Sequence, residues 1–133
     1  DFSILYDLPA LRELDLSSNQ LGDISFVTNF DQVVTLHLSS DDISDISPIG
    51  QLTQLENLSL NSNQISDITV LTSLTNITTL YIAGNQISDI LPLVNNSGLG
   101  TGDTVVIVNN PLSQQSIDEY IPQLQERGVT VYY

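Results

Sequence analysis

The sequence of 133 residues has no cysteine, methionine, tryptophan or lysine, and its only bases are Arg12 and Arg127. The absence of cysteine excludes disulfides and cysteine-ligated zinc, and it leaves the redox compartment open. Sixteen acidic residues set the formal net charge at −14 at pH 7. This charge repels phosphate, which argues against nucleic acids and anionic membranes as partners. No apolar run approaches the roughly 20 residues that span a bilayer. What remains is one acidic domain, and its hydrophobic residues, 41% of the chain, suffice for a core.

A pattern repeats at a constant interval along most of the chain, in the segments LRELDLSSNQLGDI, VTLHLSSDDISDI, LENLSLNSNQISDI and TTLYIAGNQISDI. Two apolar columns alternate with outward positions. They are Leu14, Leu36, Leu58 and Leu80, then Leu16, Leu38, Leu60 and Ile82. This alternation predicts a short strand with one buried face in each repeat unit, here called a coil. One coil cannot bury its apolar side alone, so the repeat predicts an α/β solenoid of stacked coils with a parallel strand ladder.

Two polar columns follow each predicted strand. One contains Asn19, Asp41, Asn63 and Asn85, and the other contains Asp23, Asp45, Asp67 and Asp89. We expect the asparagine amides to bond backbone groups of neighbouring coils. We expect the aspartates to cap a short helical or 3₁₀ turn in each coil.

Asp41 interrupts the asparagine column, and a carboxylate accepts hydrogen bonds but donates none. We therefore expect a backbone carbonyl of a neighbouring coil to lose its partner at this position. Replacing Asp41 with asparagine should then raise stability.

The aspartate column, which begins at Asp1, also suggests calcium. Carboxylates on neighbouring coils, about 5 Å apart, repel each other and favour a counter-ion. Calcium, however, needs about six to eight oxygens that converge on one point, whereas a column spreads them along a line. We therefore favour capping over specific calcium binding and predict no cofactor.

The repeat resembles the leucine-rich repeat family in its 22-residue, bacterial internalin type, most clearly in DDISDISPIGQLTQLENLSLNSNQISDI and LTNITTLYIAGNQISDI. The resemblance covers about residues 1–112 and is specific, because several columns must stay in register. It implies a right-handed solenoid with short parallel strands on the concave face and 3₁₀ or irregular turns on the convex face. It also implies protein binding on the concave face, in a protein found outside the cell or on the bacterial surface.

The N-terminal end of the chain departs from the repeat. Residues 1–5 match residues 23–27, which predicts a start in mid-repeat and about five coils over residues 1–112. Such a start should leave an apolar N-terminal edge that is open to end-to-end self-association.

The C-terminal end departs from the repeat as well. The interval from Asn85 to Asn110 is longer than the regular one, and the surplus falls near the glycine-rich residues 98–102, where we expect a flexible insertion. Residues 113–133 predict a C-terminal cap similar to those of bacterial surface repeat proteins. It should consist of a helix kinked or divided at Pro122 and an edge strand over residues 129–133.

The outward positions of the predicted strands form the candidate binding surface. Its residues are Glu13 and Asp15 at an acidic end, His37, Asn57 and Asn61 in a polar middle, and Tyr81, Val106 and Val108 at an apolar end. Apolar and aromatic anchors beside polar contacts are typical of protein-binding surfaces. The acidic end favours a basic partner.

Asp15, His37 and Ser59 succeed one another in the central outward column and suggest a catalytic triad. A hydrogen-bonded chain is sterically allowed, because adjacent strands lie about 4.8 Å apart. A triad also needs an oxyanion hole and a cleft that excludes water, and a shallow ladder of coils supplies neither. The sequence therefore predicts no enzyme.

The leading interpretation is a protein-recognition module from a bacterial surface or secreted protein. The alternative is a structural spacer, stalk or assembly element without a specific ligand. Similar 22-residue repeats also occur in intracellular phosphatase-regulating scaffolds, but the predicted C-terminal cap argues against that class.

Overall fold

The molecule is built on a single parallel sheet whose strands follow one another in chain order. A computed structural model describes residues 3–8 and 10–133, and of Ile4 it describes the backbone. The strands are β1 (Glu13–Asp15), β2 (Thr35–His37), β3 (Asn57–Ser59), β4 (Thr79–Tyr81), β5 (Thr104–Val106) and β6 (Thr130–Tyr132). This is the solenoid that the repeat predicts. Asp1, the expected start of the aspartate column, lies outside the described residues.

Short helical turns connect the strands on the side away from the sheet. They are the 3₁₀ turns Ser3–Leu5, Ser25–Asn29, Ser47–Gln51 and Thr69–Ser73, the helix α1 (Leu91–Asn95), a π-helical turn (Ser116–Tyr120) and the helix α2 (Ile121–Glu126). Pro122 lies in the first turn of α2, directly after the π-helical turn. The backbone stays helical across this junction, because Tyr120 and Ile121 both have α-helical dihedrals. The helix is therefore not divided at this proline, and it changes there from a π-helical to an α-helical segment. Within residues 3–8 and 10–133, no helix is long and apolar enough to cross a membrane.

The strand register follows the predicted apolar column. The paired central residues are Leu14, Leu36, Leu58, Leu80, Val105 and Val131. Their spacing along the chain is constant as far as β4 and becomes longer between β4 and β5 and between β5 and β6. Longer coils therefore leave the strand pairing intact, and the cap strand extends the same sheet.

One continuous core fills the interior of the stack. Each coil contributes its central strand residue and the isoleucines or leucines that follow, and nearly all of these are fully buried. The proposed cap shares this core, since Ile121, Leu124 and Val131 belong to the same cluster. Leu16 and Leu21 are only half-buried, whereas their counterparts in the next coil, Leu38 and Ile43, are inaccessible.

The described N-terminal end carries exposed apolar side chains. Tyr6 is 42% exposed and Leu8 is 48% exposed. The ring of Tyr6 packs edge-on against Phe30 with 5.6 Å between the centroids. An apolar edge at this end was expected, and self-association through it stays a prediction.

The asparagine column ties the coils together through two-sided hydrogen bonds. The Nδ2 of Asn63 donates to the carbonyl oxygens of Leu38, in the preceding coil, and Leu60, in its own, at 2.8 and 3.0 Å. Its Oδ1 accepts the N–H groups of Asp41 and Ile43 at 3.0 Å. Asn85 and Asn110 repeat this pattern. The Oδ1 of each accepts one N–H from the preceding coil, and the Nδ2 donates to one carbonyl of the preceding coil and one of its own coil. The predicted role of the column is confirmed.

Asp41 is the weak position of the asparagine column. Its Oδ1 accepts the Asn19 N–H at 2.6 Å, while its Oδ2 is buried without a partner in the described part of the chain. Contrary to the expectation from the sequence, the neighbouring carbonyl groups do not lose all their hydrogen-bond donors. The carbonyl of Leu16 still accepts from the amide of Asn19, and that of Leu38 accepts from the amide of Asn63. The unsatisfied atom is the carboxylate oxygen itself, which takes the place of a donating amide.

Asp41→Asn should stabilise the protein by about 1–3 kcal/mol, because it turns an unpartnered buried oxygen into a donor facing carbonyl groups. Urea unfolding followed by circular dichroism measures the midpoint. Asp42→Asn removes the same charge from the exposed neighbouring residue and should change stability by only a few tenths of a kcal/mol. A midpoint that falls in Asp41→Asn would contradict this account.

The glycine-rich stretch is not the flexible insertion that the sequence predicts, because it packs directly against the preceding coil. A Cβ built on Gly98 would lie 1.8 Å from the carbonyl oxygen of Thr75. The buried side chain of Asn96 accepts the Gly98 N–H at 2.8 Å and donates to the carbonyl of Leu71 at 2.7 Å. The extra residues therefore fill a defined place between β4 and β5.

The cap is fastened to this stretch by Arg127, one of the two bases of the chain. Its guanidinium donates to the carbonyl oxygens of Asn96 and Leu99 at 2.6 Å and also to that of Val94. Backbone carbonyls are the partners here, so the arginine satisfies groups that the lengthened coil leaves outside the strand ladder.

Gly98→Ala should destabilise the protein by at least about 2 kcal/mol, since the added methyl group meets backbone atoms that cannot move aside cheaply. Chemical unfolding gives the change in free energy. Gly100→Ala is the matched control, because the nearest atom to its Cβ lies at an ordinary 3.8 Å. Equal stability of the two variants would show that the stretch yields to the added group.

Candidate functional site

The outward residues of the six strands form a continuous surface, here called the sheet face. In each strand the middle residue points into the core and its two neighbours point outward. The central outward column consists of Asp15, His37, Ser59, Tyr81, Val106 and Tyr132. All eight predicted binding residues lie on these strands or in the residues directly after them.

The structure brings the predicted residues together in the expected order. Glu13 and Asp15 are exposed at β1, and Tyr81 is 40% exposed at β4. The other five residues are half-buried between neighbouring coils; they are His37, Asn57, Asn61, Val106 and Val108. The face therefore changes from acidic to apolar along the stack.

Sequence reasoning missed Tyr132. This residue pairs with Val106 in the register of β5 and β6 and is 56% exposed. Its outward position follows from an edge strand over residues 129–133, but only once the register of that strand is known. Together with Tyr81, it places an aromatic ring on each side of Val106.

The polar residues in the middle of the face are held by bonds within the protein. The Oδ1 of Asn61 accepts the Ala83 N–H at 2.8 Å, and the Nδ2 of Asn57 donates to the Thr35 hydroxyl at 3.4 Å. The hydroxyls of Ser39 and Ser59 bond each other at 2.8 Å. These side chains are therefore fixed before any partner arrives.

The suspected triad residues are neighbours in the sheet, yet they are not linked. Among the hydrogen bonds of the described residues, none joins His37 to Asp15 or Ser59. Ser59 bonds Ser39 instead, and Asp15 accepts the backbone N–H of Ser17 at 3.0 Å. The N–H and hydroxyl of Ser17 lower the pKa of Asp15, with a smaller contribution from the charge of His37. Asp15 is thus a persistent negative charge.

The aspartate column caps the turns on the opposite side of the coils. Asp23, Asp45, Asp67 and Asp89 each accept the N–H of the residue two positions later at 2.8 Å. The N–H and hydroxyl of Ser47 lower the pKa of Asp45, an effect that the charge of Asp67 opposes. The hydroxyl and N–H of Thr69 lower the pKa of Asp67. The aspartates therefore satisfy an N–H group at the start of each turn, as predicted, but from the position before the N-cap isoleucine.

A shallow cavity of about 430 Å³ lies between two of these caps. Its lining consists of Ser44, Asp45, Ser47, Asp67, Thr69 and Val70. In the part of the chain that the structure describes, no three histidine, aspartate or glutamate side chains come together as metal ligands. The described residues therefore offer no group of side chains that supports the calcium alternative.

Asp67→Ala should lower stability at pH 7 by about 0.5–1 kcal/mol, the low end of the range for caps because the site is exposed. The pKa of Asp67 is lower in the folded chain, so its stabilisation is present above the ordinary aspartate pKa of about 3.9. It is lost as the pH falls through the lower folded value. Urea midpoints at pH 7 and at about pH 2.5 test this.

Asp67→Asn is the matched variant for this test, since its amide oxygen still caps the turn. We expect a smaller loss at pH 7 than in Asp67→Ala. A deficit in Asp67→Ala that persists undiminished in acid would contradict a cap that depends on charge.

Three comparisons bear on the class of protein. Models of leucine-rich repeats match residues 31–73, 53–95 and 8–24, together more than half of the chain. Among solved structures, an internalin C2 of Listeria monocytogenes is 32% identical with a TM-score of 0.82, and an internalin (inlF) of the same organism is 27% identical with a TM-score of 0.78. A leucine-rich repeat protein of Leptospira interrogans, 22% identical with a TM-score of 0.77, shares the fold. No curated protein sequence matches the chain significantly.

The parallel ladder, the asparagine column and these matches define a leucine-rich repeat protein, and the chain belongs to the leucine-rich repeat family. Its repeats and cap are similar to those of the Listeria internalins. The alignments cover 100% of this chain but only 59% and 46% of the two internalin chains. The leucine-rich repeat fold is typical of protein-interaction modules.

Proposed function

We propose that the chain is a protein-recognition module of a bacterial surface or secreted protein and that it binds its partner on the sheet face. The observation that carries this proposal is the apolar end of the face, where Tyr81 and Tyr132 flank Val106. Partly exposed aromatic rings anchor protein interfaces, because they bury a large area at little entropic cost.

The surroundings of this apolar end support binding rather than packing within the chain. Val106 stays half-buried although β6 pairs beside it, so the cap leaves the face open. The fixed asparagine and serine side chains of the middle offer polar contacts on the β3 side of the anchors. A polar rim around an apolar centre is the usual anatomy of an interface.

The second candidate is an assembly or spacer element without a specific ligand. The exposed Tyr6 and Leu8 at the N-terminal end favour it, since a second copy stacked end to end would cover them. Size-exclusion chromatography with light scattering, at several protein concentrations, distinguishes a monomer from such a dimer.

Tyr81→Ala tests the recognition module directly. The immobilised chain is exposed to a defined mixture of secreted and cell-surface proteins, and bound proteins are quantified by mass spectrometry. A specific partner should be retained at least tenfold less by Tyr81→Ala than by the original chain, because truncation removes an anchor. The melting temperature should stay unchanged.

Leu91→Ala is the matched control, because Leu91 is a 36% exposed apolar residue on the turns rather than on the sheet face. It should retain the partner. Equal retention by all three proteins, or equal loss in both variants, would overturn binding at the sheet face.

A further inference from the structure

The two ends of the sheet face differ in charge. The exposed Glu13 and Asp15 lie at β1. At the other end, β4, β5 and β6 present only neutral outward residues. They are Thr79, Tyr81, Thr104, Val106, Thr130 and Tyr132. Five strand spacings of about 4.8 Å separate the ends, which gives about 24 Å.

The acidic residues of the whole chain, with Glu13 and Asp15 included, are also concentrated toward the β1 end. Eleven of the sixteen acidic residues lie in residues 1–67, together with a single base, Arg12. Arg12 is exposed beside Glu13 and offsets part of the local charge, but the acids remain in excess. Both the local and the long-range field at the β1 end therefore attract cations.

The outward residues in the middle of the face, on β2 and β3, do not alter this difference in charge between the two ends. His37, Asn57 and Asn61 are half-buried, and Ser59 is buried and bonded to Ser39. The strand positions of this region present fixed polar groups, and the exposed Glu56 lies just before β3 rather than on it. The preferred orientation of a bound chain is therefore decided at the two ends.

We propose that the sheet face binds a polypeptide segment across the strands in one orientation, with lysine or arginine over β1 and aliphatic or aromatic side chains over β4 to β6. The proposal rests on the proposed function and adds the chemistry and direction of the partner. Burial of apolar groups around Tyr81 and Tyr132 supplies affinity. Charge complementarity at β1 supplies orientation and faster association.

The length of the face fixes the size of the segment. An extended chain of about seven residues, or a helix of about 16 residues, spans this distance. The experiment therefore uses a random 16-residue peptide library displayed on phage and selected on the immobilised chain. Enriched peptides are synthesised with a fluorescent label, and their Kd is measured by anisotropy at low and high salt.

Two double variants with the same net charge separate the local acids from the overall charge. Glu13→Gln with Asp15→Asn neutralises the face, and Asp45→Asn with Asp67→Asn neutralises the turns while keeping the capping oxygens. We expect peptides with basic residues at one end and apolar residues at the other. They should bind the first variant threefold to tenfold more weakly and the second less than twofold more weakly.

The peptide itself supplies the second half of the test. Replacing its lysines or arginines with glutamine should weaken binding to the original chain but not to the Glu13→Gln, Asp15→Asn variant. Tyr81→Ser with Tyr132→Ser should abolish binding of every enriched peptide. Thermal melting of each variant establishes that it is folded.

The outcomes distinguish the two proposals. Enrichment of purely apolar peptides, or equal losses of affinity in both charge variants, would overturn the proposed orientation of the segment. If such peptides still needed Tyr81 for binding, the recognition module would stand. Peptides that bind independently of both tyrosines and both face acids would overturn both proposals. No enrichment at all would overturn the binding of a polypeptide segment, and the retention experiment with Tyr81→Ala would then decide the recognition module separately. A dimer in solution that Tyr132→Ser converts to a monomer would show that a second copy, not a basic and apolar segment, occupies the face.

Discussion

The amide side chains of Asn63, Asn85 and Asn110 satisfy the constraint on which the stack depends. Each coil turns sharply after its strand, and the turn leaves backbone N–H and C=O groups of two coils facing each other. Only a group that donates and accepts can serve both sets. An amide does so, and the carboxylate of Asp41 does not, which is why that junction contains the unpartnered buried oxygen.

Because the amide column fixes where each strand ends, it also fixes what the sheet face presents. Residues one repeat apart become lateral neighbours whatever their outward side chains are. Folding therefore places few demands on the outward positions. Where the last coils grow longer, Gly98 and Arg127 hold the surplus outside the ladder. Val106 and Tyr132 consequently continue the column that begins at Asp15.

The repeat columns allowed the register, the amide bonds and the caps to be predicted, because each depends on residues a fixed distance apart. Tyr132 was not predicted as part of the face, because its neighbour there depends on how α2 returns the chain to the sheet. The close packing of Gly98 was not predicted for a related reason, since the residue that it contacts, Thr75, lies outside the periodic columns. Local glycine content suggests freedom, whereas the contact that removes the freedom is long-range.

Because the sheet face is already ordered, binding costs little conformational entropy on the side of this protein. The four inner strands are paired on both sides, and the asparagine and serine side chains are already bonded, so binding orders little on this side of the interface. Most of the entropic cost then falls on the partner. A rigid partner surface with the complementary gradient should consequently bind more tightly than a flexible peptide of the same composition. The peptide would keep the orientation preference, because that preference resides in the arrangement of Glu13, Asp15 and the two tyrosines and not in the partner's stiffness.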